Sequence, residues 1–233
     1  MHSLICNGRE QNLISDDTIR PSIDKDYKIP HIPSVFVARD TFGKVLFYEL
    51  KVKQFIIRYY LFDLKQSIDI QIRGSAHLPE IFIPLWAPFS YHLKDHGSIN
   101  MDLSQYSLRY LSDFEWQAHI PKAKQPCLLS VHFPLDLLES LTEIFPHLET
   151  FTQNALEGRP STFNLKKFPF ATGSMLAETQ KILRPGIPSP QLKEMFLEYV
   201  LRAFLLAGTE KLVRTKIRQD TTIMTLADAF SKS

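Results

Sequence analysis

A chain of 233 residues, 44% hydrophobic and 22% charged, can bury one large or two small cores and has the balance of an ordinary globular protein. A formal net charge of +2 creates no global field that would recruit nucleic acid or an acidic membrane. No apolar run approaches a membrane span, MHSLICNGREQNL lacks the order of a signal peptide, and Cys6 and Cys127 have no metal spacing, so the expectation is a reduced, cytoplasmic protein with no membrane partner.

Residues 1–34 are polar and aperiodic and end in KDYKIPHIP, which reads as an N-terminal arm. From Val35 to Phe133 short β-type runs follow one another: 35–38, 44–52, 54–62, 67–73, 80–86, 89–93, 98–103, 106–111, 115–120 and 127–133. Three of them alternate, with Ile68/Ile70/Ile72, Ile99/Met101/Leu103 and Trp116/Ala118/Ile120 on the apolar side, as expected of strands with one buried and one wet face. Arg73-Gly74-Ser75, Lys94 to Gly97, and Ser112-Asp113 supply the turns. Many short strands without intervening helices predict an antiparallel cupin-like barrel or jelly roll over 35–133. Pro84 and Pro88 predict an edge strand or bulge.

Pro134 ends the strand Cys127–Phe133, and Leu137/Leu138, Leu141 and Ile144/Phe145 then recur at helical spacing. Helices are predicted over 135–145, 146–156 and 174–183, with 163–170 extended. Ser189-Pro190 is a good start for a long helix whose middle, Met195 to Leu206, is apolar on more than one side. The class is therefore α+β, with a helical dimerisation region over 134–218. Residues 219–233 read as a linker or the start of a DNA-binding domain that the chain lacks.

Eight histidines invite a search for a metal site. His92 and His96 flank Leu93-Lys94-Asp95 with no Glu in useful range, and His119 and His132 lie on separate strands that could be neighbours; neither pair supplies the three ligands a catalytic metal needs. No Gly-x-Ser-x-Gly or His-Glu-x-x-His occurs, Cys127 reads as a small buried hydrophobe, and Asp24/Asp26 read as solvated charges, so neither catalytic residues, metal nor cofactor is expected. The basic run KLVRTKIR suits a helix C-terminus and is too short to claim DNA. Aromatic residues are the more telling feature. Trp86, Tyr91, Tyr106, Tyr110 and Trp116 carry polar handles that a purely apolar core would not need, and are the candidate lining of a small-molecule site.

His132-Phe133-Pro134, Leu138, Leu141, Phe145-Pro146, Leu148 and Phe151 follow the order in which the last sensor strand of AraC-type transcriptional regulators runs into its helices. Met175, Leu176, Ile182, Leu183, Leu192, Lys193, Phe196, Leu197 and Glu198 continue the pattern, so that about residues 45 to 210 resemble the sensor half of that family. The resemblance implies a cupin-like domain that binds a small-molecule effector and forms a homodimer, with DNA bound only through a helix-turn-helix region that this chain does not show. The apolar excess on the long helix names Phe196, Tyr199, Val200, Ala203 and Phe204 as the dimerisation residues. The alternative is a metal-dependent cupin enzyme, an isomerase or dioxygenase.

Overall fold

The computed structural model describes residues 3–15, 34–94, 96–163, 168–183 and 190–231. In chain order its strands are β1 (Ser3–Cys6), β2 (Arg9–Glu10), β3 (Ile14–Ser15), β4 (Ser34–Asp40), β5 (Gly43–Val52), β6 (Phe55–Leu64), β7 (Ile68–Ser75), β8 (Pro79–Pro84), β9 (Phe89–Leu93), β10 (Gly97–Met101), β11 (Ser107–Tyr110), β12 (Asp113–Ile120), β13 (Cys127–His132) and β14 (Ser161–Thr162). The helices are α1 (Leu135–Ile144), α2 (Glu149–Leu156), α3 (Gly173–Leu183) and α4 (Pro190–Ser231), with a 3₁₀ turn at Pro146–Leu148.

The named strands pair antiparallel in two sheets, ordered β10-β9-β12-β7-β1-β2 and β14-β11-β8-β13-β6-β5-β4-β3. They form a two-sheet antiparallel sandwich followed by helices, the α+β arrangement read from the sequence.

The two sheets differ in a way that their sequences explain. In the six-stranded sheet Ile68, Ile70, Ile72, Trp116, Ala118 and Ile120 are buried, while Asp69, Arg73, Gln117 and His119 are exposed. The eight-stranded sheet has no wet face across its middle, because it is the central of three layers. Val45, Phe47, Tyr60, Phe62, Phe82 and Leu128 belong to the core shared with the six-stranded sheet. Their neighbours Leu46, Tyr48, Ile57, Tyr59, Ile81, Leu129 and Val131 belong to a second core, shared with the helices. Such strands read as continuous apolar runs for the same reason that parallel sheets do, burial on both sides.

Three expectations need correction. The arm over 1–34 contains a strand: Leu4 and Cys6 are buried, and β1 pairs with β7 from Ser3↔Arg73 to Cys6↔Ile70. Its period-two signal spans only four residues, too few to rise above the polar surroundings. Pro84 marks no edge. It closes β8, an interior strand between β11 and β13 with a proline at each end, where a missing N–H breaks no internal ladder bond. Residues 219–231, read as a linker or the start of a further domain, are helical and continue α4, whose 42 residues contain no internal proline. Ser189 and residues 164–167 lie outside the described residues.

Helix α4 lies on the central sheet through Leu197, Val200, Leu201, Phe204, Leu205, Leu212 and Val213, an i, i+3, i+4, i+7 stripe. At Gly208 the approach is closest: an added Cβ would stand 3.0 Å from both Ile81 Cδ1 and Met175 Cε. The Tyr106 hydroxyl donates to the Gly208 carbonyl at 2.8 Å, tying sheet to helix.

The β4–β5 hairpin turns on Gly43, whose φ of +116° and position, with a notional Cβ 2.3 Å from the Asp63 carbonyl oxygen, admit only glycine. Gly43→Ala is expected to cost about 2 kcal/mol, read as a lower urea midpoint at unchanged slope.

Candidate functional site

Charged residues set into apolar strands locate the site. Central-sheet positions facing the six-stranded sheet carry Glu49 on β5, Arg58 on β6, Ser130 and His132 on β13, Glu80 on β8 and Arg109 on β11. The strand register places them side by side: Glu49 faces Arg58, Arg58 faces Ser130, His132 faces Glu80 and Glu80 faces Arg109. The result is a polar stripe across five strands inside the sandwich.

Its bonds are continuous. Arg58 Nε donates to Glu49 Oε2 at 3.0 Å, and Arg58 Nη1 lies 3.3 Å from His132 Nε2. Ser130 Oγ is 3.0 Å from the same His132 nitrogen and donates to Glu80 Oε2. Arg109 Nε donates to Glu80 Oε1 at 2.5 Å, and its Nη1 donates to the hydroxyl of Tyr91 on the opposite sheet at 2.7 Å. The guanidinium also sits 4.0 Å from the Phe82 ring centre, a cation–π contact in a dry setting.

Burial by itself would raise the Glu80 pKa, but Arg109, helped by His132 and the Ser130 hydroxyl, outweighs it and holds the carboxyl at about 2. Burial pushes His132 down to about 4 against the pull of Glu80, so at neutral pH the ring is uncharged and its 3.4 Å approach to Glu80 is no ion pair. The interior charges therefore cancel, Glu49 and Glu80 against Arg58 and Arg109.

The two shifts act in the same direction on stability. Below pH 6.5 the unfolded chain protonates His132 before the folded one does, and below pH 4.5 it protonates Glu80 first, so acidification favours unfolding. Between pH 6.5 and 4 the stability is expected to fall with a slope approaching about 1.4 kcal/mol per pH unit from His132 alone, measured by urea titration at each pH. His132→Phe should flatten that part of the profile.

At the Glu49–Arg58 end lies a cavity of about 420 Å³, lined by Leu13, Phe36, Phe47, Tyr48, Glu49, Arg58, Tyr59 and Tyr60. Phe47 and Tyr60 meet edge to face at 5.3 Å in its wall, and Leu13 brings the N-terminal segment to its rim. Apolar walls with one donor and one acceptor group are the ordinary make-up of a small-molecule site.

Of the five aromatic residues named from the sequence, none lines this cavity. Tyr91 joins the polar stripe through Arg109, and Trp116 packs against it at 6.2 Å and against Phe89 at 5.6 Å. Tyr106 and Tyr110 point the other way, into the core beneath the helices, because Ser107 and Arg109 hold the inward positions of β11. Trp86 is 40% exposed in the loop after β8. His119 and His132 are not neighbours: they lie in different sheets, and exposed His119 is bonded to Asp69 at 2.8 Å.

The named dimerisation residues also divide. Val200 and Phe204 are fully buried against the chain's own sheet, Ala203 is half-buried, and Tyr199 is 67% exposed. The side chain of Phe196 lies outside the described residues. With Tyr199, Met195 and Leu206 form the exposed apolar face of α4.

The polar side chains of the stripe are engaged with one another rather than gathered as a set of metal ligands. Among the described residues no three His, Cys, Asp or Glu side chains stand together as a ligand set. The Glu80 oxygens are held by Arg109 and Ser130, and His132 Nε2 by Ser130 and Arg58. Among the described residues no helix is long and apolar enough to cross a membrane.

No protein-family model and no curated protein sequence matches the chain. Solved structures resemble it at low identity. The AraC-like transcriptional activator CuxR is 10% identical, with 85% of this chain and 70% of that one covered at a TM-score of 0.41. A cupin domain from Schizosaccharomyces pombe is 14% identical, covering 58% of this chain and 97% of that one at 0.34. An RmlC-like cupin protein with a double-stranded β-helix fold, from Methanocaldococcus jannaschii, is 11% identical over 43% and 88% of the two chains at 0.32.

Proposed function

We propose that this chain is a ligand-sensing and dimerisation module of the AraC regulator type, and that it is not an enzyme. The observation that carries the reading is the cavity beside Arg58 and Glu49. It combines aromatic walls with a donor and an acceptor, and the charges behind it are already neutralised by one another. Such a site can bind and orient a small molecule. It presents no activated nucleophile, since burial pushes the Cys6 and Cys127 thiols upward and His132 is held neutral.

Thermal-shift screening of a metabolite panel tests this. Effectors should stabilise the wild type and fail to stabilise Arg58→Met. Stoichiometric iron, manganese or zinc in the purified protein, together with turnover, would overturn it in favour of a cupin enzyme.

Pairing is assigned to the exposed face of α4. Met195 and Tyr199, one turn apart at 64% and 67% exposure, would be covered by a second copy. Sedimentation velocity at micromolar concentration should show a dimer, and Met195→Glu with Tyr199→Glu a folded monomer whose melting temperature, unlike that of the wild type, does not depend on protein concentration. A wild-type monomer would remove this part of the reading. Recognition of DNA would belong to a helix-turn-helix region of the kind such regulators carry.

A further inference from the structure

On the sandwich side of the central sheet, Phe36, Phe47 and Tyr60 stand side by side on β4, β5 and β6, since the register pairs Phe36 with Phe47 and Phe47 with Tyr60. Two residues along, the same register pairs Glu49 with Arg58. The cavity of about 420 Å³ is therefore lined by a row of aromatic rings and, about 7 Å further along the strands, by one acid and one base.

The polar groups of this lining are not used up by one another. Arg58 bonds Glu49 through Nε and His132 through Nη1, which leaves Nη2 without a hydrogen bond among the described residues. Glu49 accepts on Oε2, while its Oε1 is approached among the described residues by Lys51 alone, at 3.7 Å from a side chain that is 70% exposed. Tyr60 is 8% exposed and lines the cavity, and its hydroxyl has no hydrogen-bond partner among the described residues. Burial pushes the pKa of that hydroxyl up to about 12, so it stays a neutral donor and acceptor.

Charge and hydrogen-bonding capacity select the occupant. Glu49 and Glu80 already cancel Arg58 and Arg109, so an ionised ligand would bring an uncompensated charge into a partly buried site. A sugar or other polyol would bring more hydroxyls than Glu49, Arg58 and Tyr60 can satisfy, and each one left unpaired weakens binding. We propose that the cavity takes an uncharged, flat heteroaromatic molecule of about two or three fused rings, with an N–H and a C=O side by side on one edge. The N–H donates to Glu49, the C=O accepts from Arg58, and the ring faces lie against Phe36, Phe47 and Tyr60. A single ring is too short to cover the aromatic row and also reach the pair. This class rests on the sensing role proposed for the cavity and names the effector it would take.

Fluorescence anisotropy with lumichrome, an uncharged tricyclic compound carrying an N–H between two carbonyls, tests the proposal. Saturable binding with a Kd of about 100 µM or tighter is expected for a probe of that size. Its N-methylated form, which cannot donate to Glu49, should bind about tenfold more weakly. Arg58→Met should weaken lumichrome binding about tenfold, and Tyr60→Phe, which removes only a hydroxyl and keeps the fold, about fivefold. Absence of saturable binding, or equal binding of the methylated form, would overturn the proposed class. The sensing role is judged apart from it, by the metabolite panel. An anion or a polyol that stabilises the wild type and not Arg58→Met would leave that role standing and overturn the class.

Discussion

Arg109→Met is expected to lower the unfolding free energy by about 3–5 kcal/mol, because it leaves the Glu80 carboxylate buried without its main partner. Glu80 and Arg109 are 5% and 4% exposed, so water cannot replace the lost charge. The pH profile should change with it. In the wild type the contribution of Glu80 is complete above pH 4.5 and disappears as pH falls toward 2. Without Arg109, burial pushes that carboxyl upward, and the variant should lose less stability on acidification through this window. Arg109→Met with Glu80→Leu removes both charges and should recover most of the loss, since a buried pair stabilises little over well-packed apolar side chains. Urea denaturation of the two single variants and the double closes the cycle, and additive losses would show that the two residues are not coupled.

Phe204→Ala is expected to cost about 3–5 kcal/mol, while Tyr199→Ala, five residues away on the same helix, should change the monomer's stability by less than about 0.5 kcal/mol. Phe204 is fully buried on the central sheet, and its truncation opens a cavity between Leu201 and Leu205 on one side and the sheet on the other. Tyr199 faces outward. The pair separates the two roles of α4: chemical denaturation should respond to Phe204, and sedimentation to Tyr199. A dimer that survives Tyr199→Glu and dissociates only when Phe204 is replaced would mean that pairing follows folding rather than the exposed face.

Period and turn chemistry made most of the strand positions legible. Phe89–Leu93 is the strand read from the sequence, and the runs at 44–52 and 54–62 shift by only a residue or two. The six-stranded sheet was clearest because its outer face is wet. The site was less legible, and for the same cause. FIIRYYLF, EIFIP and SVH are buried on both faces, so their single charges do not stand out as one side of an alternation. The available signal was the reverse: Arg58, Glu80 and Arg109 inside apolar β runs must be buried and paired, whichever way the strands face. The partners could not be read, because they depend on register between β8, β11 and β13, which are far apart in sequence. On α4 the stripe was visible, but periodicity alone does not say which face meets the chain's own sheet. Leu197, Val200, Leu201 and Phe204 could have satisfied either role.

Helix α4 has 42 residues, about 63 Å at 1.5 Å per residue, yet Val213 is the last fully buried side chain among those described on it. The remaining 18 residues to Ser231 extend for about 27 Å from that pivot. A rod of that length works as a lever: a tilt of 5° about Val213 would carry its tip through roughly 2 Å. A shift too small to disturb the packing of the sandwich would thus become a displacement that another domain or subunit could register.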